Sequence, residues 1–123
     1  MTLAFYQTWL GNFNIKNADV ARHTGLSKSL LSQFSNGKIE LGDSANQIEI
    51  LFAALAIKQG RHEYFLALYP ISDSIFAAVD RVDTLYRVRV YDTQSTIWKK
   101  TKKEKVTAYF DSLPNEKQVR KMV

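Results

Sequence analysis

Cysteine is absent from the 123-residue chain. That excludes disulfide scaffolds and cysteine-ligated zinc, and it fits a reducing compartment. With only two histidines, a metal centre would have to draw most of its ligands from carboxylates. No carboxylate cluster stands at metal-ligand spacing, so neither a metal nor a cofactor is expected. No apolar run approaches the roughly 18 residues needed to span a bilayer. The opening MTLAFYQTWLGNF has no basic residue ahead of its apolar part, so it does not read as a secretory signal, and a cytoplasmic location is expected. Catalytic signatures are missing too. His62-Glu63 is followed by Leu66 where a zinc-protease helix needs a second histidine. With no phosphate-cradling glycine loop and no nucleophile elbow, no catalytic residue is assigned and no enzyme is expected.

What is present is enough apolar material for a core, 46% of residues, and a net charge of +5. A basic balance points weakly to a polyanionic partner. Residues 1–70 hold six Lys/Arg against five Asp/Glu, and residues 71–123 hold eleven against seven. Most of the excess is therefore in the second half.

The spacing of Leu3, Tyr6, Trp9, Leu10 and Phe13 predicts a helix over about 2–12, with Thr2 as cap. A short helix over about 18–24 follows, with Asn17 as cap and Asp19 in the first turn, and Gly25 stops it with φ > 0. A third helix, about 28–35, is capped by Ser27 and ended by Gly37. A fourth runs over about 44–58, capped by Asp43 or Ser44. RHEYFLALY reads as a fifth, ended by Pro70. Beyond it, Ile75, Val79, Val82 and Tyr86 stand at i, i+4, i+7 and i+11, which favours a helix continuing to about 92. YRVRVYD alternates, however, so a small β-hairpin within 86–110 is the alternative. NEKQVRKMV reads as a short basic helix.

The stretch GLSKSLLSQFSNGK, residues 25–38, carries the functional signal. Two short helices joined by a glycine-led turn of about four residues make a helix-turn-helix. Ala21 is small where the helices cross. Leu26, Leu31 and Phe34 are spaced to bury one side of the third helix, leaving Lys28, Ser29, Ser32, Gln33 and Asn36 on the other. The longer stretch NADVARHTGLSKSLLSQFSNGK, residues 17–38, resembles the lambda-repressor/Cro-type (XRE) helix-turn-helix family. The resemblance covers roughly residues 2–69. It implies an all-α, five-helix DNA-binding domain over 1–70, and the residue pattern beyond it is read as a mainly helical extension over 71–123.

The resemblance also implies roles. Lys28, Ser29, Ser32 and Gln33 would read base edges. Gln33 suits a bidentate contact with adenine and Lys28 suits guanine. Asn17, Ser27, Asn36 and Lys38 would hold phosphates, although the family most often has glutamine where this chain has Asn17. Lys99, Lys100, Lys102 and Lys103, in the run WKKTKKEK, are candidates for extra backbone contacts. The stripe Ile75, Val79, Val82, Tyr86 is the candidate dimer seam, because readers of this type usually bind two half-sites. The expected function is that of a DNA-binding transcriptional regulator, a repressor of bacterial, phage or plasmid type. It would act as a homodimer on double-stranded DNA, with no small-molecule effector identifiable. The alternative is a protein-binding module on the same fold, such as an antitoxin or inhibitor.

Overall fold

The computed structural model describes residues 1–92 and 106–122. Four helices come first: α1 (Leu3–Phe13), α2 (Asn17–Thr24), α3 (Lys28–Ser35) and α4 (Ala45–Lys58). Their ends follow local chemistry. Thr2 accepts the Phe5 N–H at 3.1 Å and Ser27 accepts the Leu30 N–H at 3.0 Å, each satisfying a donor that the first turn leaves orphaned. Lys16 precedes α2, and its N–H donates to the Asp19 carboxylate at 2.9 Å, so Asn17 is the first helical residue rather than the cap. Gly25 ends α2 at φ +78, as its place in the turn requires. A 3-10 turn, Gly42–Ser44, leads into α4, and Ser44 makes no side-chain cap.

The core of this unit is aromatic. Tyr6, fully buried, stacks on Phe52 at 5.8 Å and meets Phe34 edge-on at 5.3 Å, distances at which ring quadrupoles attract. Val20, Leu31, Ile48 and Leu51 complete it. Helix α4 is buried on several sides at once, with Ile48, Ile50, Leu51, Phe52, Ala53 and Ala54 all inside. A helix that is apolar nearly all round must be covered nearly all round. Its second cover is a β-sheet.

Here the all-α expectation fails. The chain is mixed α/β, with a four-stranded antiparallel sheet in the order β1 (Ala67–Pro70), β2 (Ile75–Val82), β3 (Leu85–Asp92), β4 (Val106–Phe110). The expected fifth helix is replaced by a 3-10 turn, His62–Tyr64, and by β1. Pro70 ends β1, an edge strand, where its missing N–H costs no ladder bond. The expected 72–92 helix is a hairpin instead. Val82 pairs with Leu85 across the two-residue turn Asp83–Thr84, and Asp83 takes φ +54, which a short polar side chain tolerates. A boundary at residue 70 therefore falls inside the β1–β2 pairing. The hairpin anticipated within 86–110 corresponds to β3 pairing with β4, with an irregularity between Val88 and Arg89.

One sheet face, through Leu68, Ala78 and Tyr91, joins the helical core. The other carries Ala77, Val79 and Val88 and is closed by Val119 of α5 (Glu116–Arg120), the helix expected at the end of the chain. The Tyr69 hydroxyl donates to the Pro114 carbonyl at 2.8 Å, and Arg120 donates to the Pro70 carbonyl at 2.9 Å, fastening this closure.

The dimer seam read as a helical stripe is not formed. Ile75, Val79 and Val82 lie on β2 and Tyr86 on β3. Strand alternation puts Val82 on the opposite face from Ile75 and Val79, and Val79 is sealed in the core beneath Val119.

Candidate nucleic-acid interface

Helix α3 presents two unlike sides. Leu31 and Phe34 are buried, and the half-buried Leu26 and Leu30 pack against the same core. Lys28, Ser29, Ser32 and Gln33 are all exposed on the other side, as are Ser27, Asn36 and Lys38 around its ends. The structure thus brings all four candidate base-reading residues onto one open face. Gln33 donates to the Ser29 hydroxyl at 3.2 Å, so the amide is already oriented along the helix surface. The Ser27 hydroxyl accepts one hydrogen bond at the helix cap, which leaves its O–H available as a donor. Gly37, at φ +71, turns the chain after α3 and leaves Lys38 exposed beside the helix end.

Asn17 has a task that sequence reasoning missed. Its Oδ1 accepts from the Tyr6 hydroxyl at 2.7 Å, and its Nδ2 donates to the Ser35 hydroxyl at 2.9 Å. One half-buried amide therefore ties α1, α2 and α3 together and fixes the pitch at which α3 stands on the domain. One proton of the Asn17 amide remains beyond these two bonds. Burial pushes the Tyr6 hydroxyl up to about 12, so it stays a donor at any physiological pH. A buried tyrosine eleven residues from a helix-opening asparagine is a signal that could be sought in sequence. It becomes legible only once the two helices are known to cross.

Charge is more favourably placed than the near-balance of residues 1–70 suggests. Lys16, Arg22, Lys28 and Lys38 fall within residues 16–38, against the single acid Asp19, which pairs with Arg22 at 3.1 Å. The remaining acids of the helical unit lie outside this segment. Arg87 and Arg89, by contrast, do not extend the basic surface. Both bind Asp80, Arg87 through two hydrogen bonds, and Arg89 reaches Glu49 of α4 at 3.5 Å. Arg89 is 5% exposed and bridges the sheet to the helices. Lys99, Lys100, Lys102 and Lys103 lie outside the described residues. Among the described residues, no group of three His, Asp or Glu is placed to hold a metal ion, and no helix is long and apolar enough to cross a membrane. No family model, curated protein or solved structure matches the chain.

Proposed function

We propose that the chain is a sequence-specific double-stranded DNA-binding regulator, a repressor-type protein that lays α3 in the major groove. The observation carrying this reading is the open polar face Lys28–Ser29–Ser32–Gln33 on a short helix anchored from behind by Leu31 and Phe34. The resemblance of residues 17–38 to the lambda-repressor/Cro-type motif agrees with it. Small serines let a helix backbone approach the floor of a groove about 12 Å wide, while the Gln33 amide can donate to adenine N7 and accept from its N6 amino group, and the Lys28 ammonium can donate to guanine N7 and O6. Ser27, Asn36 and Lys38 surround the helix where phosphates would pass, with Lys16 and Arg22 adding charge along α2. Binding as a homodimer to an inverted repeat follows from the geometry of such readers.

Selection from a randomised duplex pool tests the reading. It should enrich one motif with two related half-sites about one helical turn apart, bound more weakly as salt rises. A pool that emerges unenriched, with no duplex bound at low salt, would reject DNA reading and leave a protein partner for the α3 face.

A further inference from the structure

The two edges of the sheet differ. On β1, Pro70 offers no N–H, and the carbonyls of Pro70 and Ile71 accept from Arg120 at 2.9 and 3.3 Å. A proline and a cation are devices that keep an edge strand from pairing further. On β4 neither is present. Its sequence, VTAYF, holds no proline and no charge. Among the described residues it pairs only with β3.

The hairpin fixes which backbone groups of β4 stay open. Its two-residue turn makes Val82 and Leu85 a hydrogen-bonded pair. Bonding alternates along β3, so Leu85 and Arg87 bond to β2 while Tyr86 and Val88 bond to β4. Their partners there are Phe110 and Ala108. Tyr109, between those two, turns its N–H and C=O outward from the sheet. It is 50% exposed, as is Leu113 three residues on, although both are large and apolar.

We propose that β4 pairs with β4 of a second copy of this chain, antiparallel about a twofold axis at Tyr109. An outward N–H and C=O in mid-strand suit such an axis, because the two Tyr109 residues exchange both N–H···O=C bonds. The register then sets Phe110 of each copy beside Ala108 of the other, large against small, with the two Tyr109 rings side by side on the opposite face. An uncharged strand brings no like charges together across the axis. The joined sheet ends on both sides at a protected β1 edge, so pairing stops at two copies. The axis stands perpendicular to the sheet, which leaves both helical units on one side of it, as two reading heads on one duplex require. That use rests on the DNA-reading proposal, whereas the pairing itself does not. Five residues a side are few beside the roughly 20–30 of a standard interface, so the dimer should be weak and concentration-dependent.

Sedimentation equilibrium of the full chain without DNA, from low-micromolar to near-millimolar concentration, should show a reversible monomer–dimer equilibrium. Tyr109→Lys places like charges across the axis and should weaken the dimer about tenfold or more, at an unchanged melt, because the residue is half exposed. The chain has no cysteine, and paired Cα atoms about 5.5 Å apart are within disulfide reach. Tyr109→Cys should therefore give a disulfide-linked dimer on mild oxidation, whereas Leu66→Cys, similarly exposed beside β1, should not. A monomer throughout, a dimer indifferent to Tyr109→Lys, or linkage through Leu66→Cys as fast as through Tyr109→Cys would each overturn the proposal. The two proposals fail separately. A monomer that still enriches a DNA motif rejects only the β4 pairing, and a dimer that binds no duplex rejects only DNA reading.

Discussion

Removing the Asn17 side chain should do more damage than its half-exposed position suggests. Asn17→Ala deletes two hydrogen bonds that each contribute about 1 kcal/mol net. It also leaves the Tyr6 hydroxyl without its acceptor, on a residue of 0% exposure, which adds roughly 1–3 kcal/mol of uncompensated desolvation. The expected total is about 3–5 kcal/mol. Tyr6→Phe removes the hydroxyl itself and strands only an amide oxygen that water reaches, so it should cost about 1 kcal/mol. In the Asn17→Ala background, Tyr6→Phe removes a donor that has nothing to donate to, and it should be neutral or stabilising. Urea unfolding of the four proteins gives the cycle. A coupling of at least about 1 kcal/mol is expected, at unchanged m-value. Additivity within about 0.5 kcal/mol would refute the claim that one network holds the three helices.

Alkaline titration offers a second view of the same tyrosine. Its folded pKa of about 12 lies above the ordinary 10, so its contribution is whole below pH 10 and is lost as pH rises from 10 towards 12. The alkaline limb of stability should flatten in Tyr6→Phe, and a limb identical to wild type would contradict the assignment. Arg89→Met should cost about 2–3 kcal/mol in urea melts, less than a fully buried pair, because Asp80 and Glu49 are each about a third exposed. A wild-type midpoint would show that the bridge from sheet to α4 contributes nothing. Lys38→Gln should weaken all duplexes alike and reduce the log–log salt slope by about 0.9, the share of one phosphate. A sequence-selective loss would reassign Lys38 to base reading.

Residues 1–58 were legible because their signals are local. Thr2, Ser27, Gly25 and the i, i+3, i+4 apolar spacing act within one or two turns, and each helix appears within a residue or two of its expected place. Beyond Lys58 the local signals conflict. Ile75 and Val79 are four apart, a separation that serves both a helix face and a strand face, so the pair cannot distinguish the periods. The deciding pattern was the alternation of Tyr86, Val88 and Val90, inward on β3, with Arg87 and Arg89 on the other face. It met a second helical reading in Val82 and Tyr86, and the Asp83–Thr84 turn lacks the glycine that marks most two-residue hairpins. RHEYFLALY misled for a similar reason, since nine residues ended by proline satisfy a helix stop and an edge-strand end alike. The exposure of Lys28, Ser29, Ser32 and Gln33 on one side of α3 was legible in full. The second role of Asn17 and the pairing of Arg87 and Arg89 with Asp80 and Glu49 depend on contacts distant in sequence, which no local pattern encodes.

The central claim is that the exposed face of α3 reads base pairs, and parallel selection with wild type and Gln33→Ala tests it most directly. Both proteins should enrich duplexes, because Gln33 is exposed and its removal leaves the Leu31–Phe34 anchor intact. The wild-type motif should show an adenine preference at one position of each half-site. The variant should lose that preference there alone, at a cost of about 1–3 kcal/mol on the best site. An identical motif from both proteins, or none from either, would contradict the claim.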